Sequence, residues 1–365
     1  MAQVITFLGK GGVGCTTVAI AAARQLAAQG LPTLFASSDP SPALAVLLGA
    51  TPSPDPQELA PNLQAVQLQA AALLERGWEE AKRLEAQYLR SPTLSNVYGQ
   101  ELGLFPGLDS ALALNALREY NASNRYQVIV YDGDRGLNTL RMLGIPEVGS
   151  WYLRRFRRVF FESDLGKAIA PFVQPLSATV FNRAWSFDDL GKEPTDEMST
   201  LLQQGQAMLH DPAQVLAHLV TTSDPGAIAT AQYLWGSAQQ IGLTVAKVLW
   251  NQGEPSDEAV ASFAPLPITA LPRRSRDDWQ VLQAALPDLR DGRQAPQPVT
   301  IDVANRQVRV FLPGFTKQQV KLTQYGPEIT IEAGDQRRNL ILPPTLQGQP
   351  IKGAKFQDRY LVISL

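Results

Sequence analysis

The sequence is poor in the residues that build disulfides and metal clusters. It has a single cysteine, Cys15, so no internal disulfide can form. Its two histidines, His210 and His218, stand alone without cysteine pairs, and they read as structural residues rather than metal ligands. No run of 18 apolar residues occurs, so neither a transmembrane helix nor stable membrane insertion is expected. The amino terminus lacks a basic region followed by a cleavable apolar stretch, which fits a soluble, cytoplasmic chain. A basic excess is missing as well. The formal net charge is −2, which does not suit a nucleic-acid binder.

The charge is unevenly spread. Residues 296–365 hold nine Lys/Arg against five Asp/Glu, and the rest of the chain holds 23 against 29. A small basic unit on an acidic body suggests two domains. With 365 residues and 45% hydrophobic content, each can have its own core.

Residues 3–8 are a short apolar run ending in glycines, and residues 16–29 are Ala/Leu-rich at helical spacing before Gly30. Residues 33–37 form the next apolar run. This strand–loop–helix–strand order predicts a doubly wound α/β sheet. Further strands are expected at Val128–Tyr131, Ala217–Thr221, Val245–Trp250 and Ile268–Ala270, with helices at Ala227–Ile241 and Asp277–Ala285. Residues 66–121 and 150–215 are mainly helical in pattern and read as insertions on the sheet edge. These segments make up a body of residues 1–290. A polar, proline-punctuated linker at 291–298 follows, and residues 299–365 alternate like a small all-β sandwich.

The strongest local signal is the loop between the first strand and first helix: Gly9, Lys10, Gly11, Gly12, Val13, Gly14, Cys15, Thr16 and Thr17. Glycines there let backbone N–H groups point at an anion, and the helix start adds partial positive charge. Two motifs overlap. Gly9, Gly11 and Gly14 satisfy the dinucleotide fingerprint, with Asp39 near the place of a ribose-binding acid. The same residues fit a phosphate loop whose usual lysine is Cys15, with the Thr16 hydroxyl placed for Mg²⁺. An ordinary glycine-rich turn is the plain alternative.

Beyond the loop, Asp39 follows the second strand, where a carboxylate can orient or deprotonate an attacking water. It can equally make an Asx turn before Pro40. Tyr126 to Asp132 is an apolar strand ending in a carboxylate, which could hold Mg²⁺ through water. Asn251 ends another strand with an amide, or is simply a turn residue.

Together these segments resemble the arsenite-pump and tail-anchored-protein-targeting ATPase family, with its deviant Walker A loop. In that family the early lysine, here Lys10, reaches across a dimer to the partner's nucleotide. The later lysine contacts the β/γ phosphates, and here it is Cys15. Ser38-Asp39-Pro40-Ser41-Pro42 resembles the family's first switch, and the resemblance implies that Asp39 acts on water. Residues 133–146 resemble the second switch, matching at Thr139, Leu140, Arg141, Leu143 and Pro146. They depart from it at Asp134, Arg135, Leu137 and Asn138. Pro106 to Asp109 resembles a further family loop, and Leu249-Trp250-Asn251-Gln252 resembles a motif whose Asn recognises adenine. The resemblance implies a P-loop ATPase fold, ATP and Mg²⁺ as ligands, a homodimer and a hydrophobic, tail-anchored membrane-protein client. The family's paired zinc cysteines do not occur, so no zinc clasp is expected.

Residues 299–365 resemble the α-crystallin domain of small heat-shock proteins through Leu312-Pro313-Gly314-Phe315, Leu342-Pro343 and the run Ala354 to Ile363, with Arg359 in place of a glycine. Residues 151–161 set aromatics beside arginines: a groove wall, a membrane-surface face, or a core helix with a solvated arginine side. Three functions follow from these features. One is an ATPase coupled to client binding. Another is a nucleotide-holding chaperone or scaffold with little turnover, because the loop lysine is Cys15. A nicotinamide-dependent oxidoreductase is the third. Cys15 at a helix start reads either as a small space-filling residue or as a redox-sensitive thiol.

Overall fold

Parallel strands covered on both faces must be largely apolar, and the central strands here are, buried along their whole length. The computed structural model describes residues 1–88, 96–162, 194–274 and 278–365. Eight strands form one sheet: β1 (Gln3–Leu8), β2 (Thr33–Ser37), β3 (Gln57–Ala60), β4 (Leu63–Gln67), β5 (Val128–Asp132), β6 (Val215–Thr221), β7 (Val245–Asn251) and β8 (Ile268–Leu271). Their order is β3-β4-β2-β5-β1-β6-β7-β8, parallel except for the β3–β4 hairpin at one edge.

The helices are α1 (Cys15–Ala28), α2 (Ala43–Leu48), α3 (Ala70–Tyr88), α4 (Leu108–Ala122), α5 (Leu137–Leu143), α6 (Ile145–Glu162), α7 (Pro194–His210), α8 (Pro225–Gln240), α9 (Asp257–Phe263) and α10 (Gln280–Ala285). Side-chain alternation along the strands divides the core into two layers. Val4, Leu8, Leu34, Ile129 and Tyr131 meet α4, α5, α7 and α8. Ile5, Phe7, Phe35, Val128 and Val130 meet α1 and α10.

Two expectations change in detail. The β3–β4 hairpin was not legible in the sequence, because both strands are short and β3 is only half-buried. The helices of the 66–121 and 150–215 stretches do more than extend an edge. Ala113, Ala116 and Leu117 of α4 and Leu209 of α7 lie in the core layer on one sheet face. Residues 163–193 of the second stretch, and the start of the helix expected from Asp277, lie outside the described residues.

The carboxyl-terminal strands are β9 (Val299–Asp302), β10 (Gln307–Phe311), β11 (Val320–Tyr325), β12 (Glu328–Ala333), β13 (Gln336–Ile341), β14 (Gly353–Gln357) and β15 (Tyr360–Ser364). They form two antiparallel sheets, β14-β15-β10-β9 and β11-β12-β13. Val308, Val310, Ile329, Ile331, Leu361 and Ile363 fill the space between them, as two-residue alternation requires. Asp358 and Arg359, both left-handed with φ 50° and 65°, make the β14–β15 turn. That conformation accounts for the glycine usual at position 359.

This sandwich docks on α8 through glycines. A β-carbon on Gly236 would overlap the Pro313 carbonyl, and one on Gly314 would overlap the Gln232 carbonyl. Trp235 packs edge-on to Phe311 at 5.4 Å between centroids. Polar tethers surround the contact. Arg338, buried, donates to the Gln239 carbonyl at 3.0 Å, and Trp151 donates its indole N–H to Glu328 at 3.2 Å. Arg141 on α5 pairs with Asp335.

Candidate nucleotide site

A parallel sheet collects its ligand-binding loops at the carboxyl ends of its strands. Four of the segments read from the sequence arrive there: the loop after β1, the turn after β2, the end of β5 and the end of β7. In this sheet β5 lies between β1 and β2. A dinucleotide fold places its first two strands side by side. The strand order therefore decides between the two overlapping glycine motifs in favour of the phosphate loop.

The loop itself is a cradle that side chains would fill. Gly12 and Gly14 have φ of 89° and 94°, in the left-handed region that favours glycine. A β-carbon at Gly14 would overlap the Asn251 amide nitrogen, and one at Gly9 would overlap the Val220 carbonyl and come 2.9 Å from the Cys15 sulfur. Gly11 has open space around it. Asn251 is buried, and its amide nitrogen donates to the Val13 carbonyl at 2.7 Å. Here the Asn251 side chain braces the loop.

Thr16 and Asp132 meet beneath the loop. The Thr16 hydroxyl donates to one Asp132 oxygen at 3.2 Å, and the Ser37 hydroxyl donates to the other at 3.1 Å. Burial lifts the Asp132 carboxyl to about 6; Arg135 and the two hydroxyls pull it back down. Such a carboxylate, short of positive charge, suits a divalent cation.

Asp39 sits on the neighbouring turn. One of its oxygens accepts from the Ser41 N–H at 2.8 Å, which is the Asx turn anticipated for an Asp before Pro. Its other oxygen pairs with the Arg135 guanidinium at 2.7 Å. Burial alone would raise its pKa, but the Ser41 hydrogen bonds and Arg135 outweigh that and hold it below the usual carboxylate range. Gln67 donates to the Asp39 carbonyl at 2.8 Å and steadies the turn.

Lys10 points away from this cluster. Its ammonium lies 3.3 Å from Asp224, both half-exposed. Asp224 also caps α8 by accepting from the Ala227 N–H. Cys15 is buried, and burial foremost pushes its thiol up to about 12. It fills space under the loop, and it lacks the lowered pKa that a redox-sensitive thiol needs. Thr17, half-buried, is in the first turn of α1. Gly107, with φ 89°, starts α4 and puts Asp109 in its first turn, where its charge reaches Tyr131.

Three site residues were not assigned roles from the sequence: Ser37, Asp224 and Arg135. Ser37 ends a strand without any local signal. Asp224 was visible as an acid before proline at a helix start. Arg135 was visible only as a departure from the second-switch pattern.

Strand order, glycine loop and buried Thr–Asp pair define a P-loop nucleoside-triphosphatase fold. Residues 2–264 match the family model for the anion-transporting ATPase, and residues 304–365 match the model for the HSP20-like domain found in ArsA. The chain belongs to the ArsA anion-transporting ATPase family, and its activity is that of an ATPase. It is 24% identical to a protein of Chlorobaculum tepidum named as an arsenical pump-driving ATPase, over 99% of this chain and 95% of the relative. A similarly named protein of Aquifex aeolicus is 20% identical over 99% of both chains. ATPase GET3 of Malassezia globosa is 26% identical over 50% of this chain and 52% of its own length. Among the described residues no helix is long and apolar enough to cross a membrane.

Proposed function

We propose that this chain hydrolyses Mg-ATP and uses the nucleotide cycle to close a homodimer and hold a hydrophobic protein client, a tail-anchored membrane protein among the candidates. The observation that carries the ATP site is the convergence of the glycine cradle, the buried Thr16–Asp132–Ser37 cluster and Asp39 at one sheet edge. The residues fit both ligands. N–H groups of Gly11 to Thr17 would cradle the phosphates, and the space beside Gly11 and Gly12 is open to them. The Thr16 hydroxyl, and Asp132 through water, would hold Mg²⁺, which supplies charge neutralisation on the phosphates. Asn251 would present its amide to adenine while it braces the loop.

In hydrolysis the water oxygen bonds to the γ-phosphorus. The bond from that phosphorus to the bridging oxygen breaks, and its electron pair leaves with ADP. Asp39 accepts a hydrogen bond from the water and orients it, and the proton ends on the phosphate product. Lys10, on the exposed rim, is free to exchange Asp224 for a nucleotide across a dimer. With Cys15 buried in the phosphate loop, that dimer closes without a zinc clasp.

A second reading, a nucleotide-holding scaffold with little turnover, draws support from the uncharged, buried Cys15. Turnover of Mg-ATP by the full chain and by Asp39→Asn separates the two. Loss of a measurable rate in the variant supports hydrolysis through Asp39. Equal, negligible rates with intact ATP binding favour the scaffold.

A further inference from the structure

We infer that Arg135 is the phosphate-contacting cation of this site, doing in cis what a lysine at position 15 would do, and that Asp39 and the phosphates compete for it. This rests on the ATP-site reading above. The loop from Gly9 to Thr17 offers backbone N–H groups but no inward cation, because Cys15 is neutral and Lys10 is turned to Asp224. A site for three or four phosphate charges needs one near the transferred group.

Arg135 is suitably placed. Its carbonyl accepts from the Gly9 N–H at 2.9 Å, so its backbone is clipped to the first residue of the loop. Its φ of 57° is unusual for a residue with a side chain, and such conformations collect at functional positions. Its charge bears on all three of Cys15, Asp39 and Asp132. Its guanidinium makes one bond, to Asp39, while its buried Nε–H has no hydrogen-bond partner. A planar fork with an unused donor is better matched by phosphate oxygens than by one carboxylate oxygen.

The pairing gives Asp39 two states. In one, seen in the structure, one of its oxygens is tied to Ser41 and the other to Arg135. When Arg135 transfers to the phosphates, that second oxygen is released to hold the water. Water is therefore activated only when there is a phosphoryl group to receive it. This places the compensating charge in the turn between β5 and α5, two residues before that helix begins.

The test is equilibrium binding of ATP and ADP, with Mg²⁺, to the full-length wild type, Arg135→Ala, Arg135→Lys and Asp39→Asn, with turnover measured alongside. Arg135→Ala is expected to weaken ATP binding about tenfold and ADP binding much less, and to lower kcat/KM about 10²-fold. Arg135→Lys keeps the charge without the fork and should fall between. Asp39→Asn removes the carboxylate that competes for Arg135, so ATP should bind several-fold tighter while turnover falls. Adding Cys15→Lys to Arg135→Ala should restore part of the lost ATP affinity. Wild type that binds no adenine nucleotide overturns the ATP-site reading itself. Wild type that binds ATP, with Arg135→Ala unchanged or losing ATP and ADP equally and Asp39→Asn no tighter, overturns the role of Arg135 alone.

Discussion

The Asn251 amide nitrogen lies 2.7 Å from the Val13 carbonyl and occupies the space that a β-carbon on Gly14 would need. One side chain from β7 thus fixes both the height of the phosphate loop and the identity of its last glycine. Replacing Asn251 with Ala removes a buried hydrogen bond and is expected to cost about 1 kcal/mol. Asn251→Asp sets a carboxylate against a carbonyl and should cost more, about 2–3 kcal/mol. Urea unfolding of the nucleotide-free protein measures both. Equal stability in all three proteins would show that the brace is not used.

Acid stability should respond to two buried groups with opposite signs. Burial lowers His218 to about 4, so the folded protein keeps it neutral while the unfolded chain protonates near 6.5. Its contribution is complete above pH 6.5 and is lost as pH falls through 4, up to about 3 kcal/mol. Asp132 is raised to about 6, so the folded protein takes up its proton first. Its burden is absent below the unfolded value of 3.8 and grows as pH rises through 6. Melting temperatures between pH 4 and 7.5 should therefore show a shallower acid decline in His218→Gln. In Asp132→Asn the neutral-pH stability should rise relative to that at pH 4. Unchanged slopes in both variants would contradict the burial of these groups.

Cys15 should be chemically quiet. A thiol at about 12 presents roughly 10⁻⁴ of its population as thiolate at pH 8. Alkylation by iodoacetamide is expected to be at least 10²-fold slower in the native protein than in urea. Native labelling at the unfolded rate would restore the redox-sensor reading.

Gly236 should control how the sandwich sits on the body. Its α-carbon faces the Pro313 carbonyl, with Phe315 alongside, and leaves no room for a methyl group. Gly236→Ala is expected to cost about 1–3 kcal/mol through overpacking and to raise protease cleavage between residues 291 and 298. ATP binding should survive, because α8 meets the phosphate region only at its far end, through Asp224. Cleavage no faster than in wild type would mean that the dock does not depend on this contact.

The sheet was readable because buried parallel strands show as short, mainly apolar runs between turn residues, as at Val128–Asp132 and Val245–Asn251. The phosphate loop was readable because glycine is needed at Gly12 and Gly14, and that need is a backbone fact visible in one letter. The β3–β4 hairpin lacked such a mark, since Gln57–Ala60 is neither apolar nor alternating. Arg135 was the larger omission. Its importance comes from Cys15, Asp39 and Gly9, which are far from it in sequence and near it only after β5 slots between β1 and β2. A missing lysine in a glycine loop is a signal to look for a cation elsewhere, but only the fold says where. Docking through Gly236 and Gly314 was hidden for the same reason, as each glycine is explained by a carbonyl from the other domain.

Calorimetric titration of Mg-ATP into the full-length protein, run at pH 6 in two buffers of different ionisation enthalpy, bears most directly on the site. Saturable uptake of one nucleotide per chain is expected. It should be accompanied by proton release as Mg²⁺ draws Asp132 into its ionised form, and both signals should be lost in Gly14→Val. A protein that melts cooperatively yet shows neither heat of binding nor a shifted melting temperature with Mg-ATP would contradict a nucleotide site at this sheet edge.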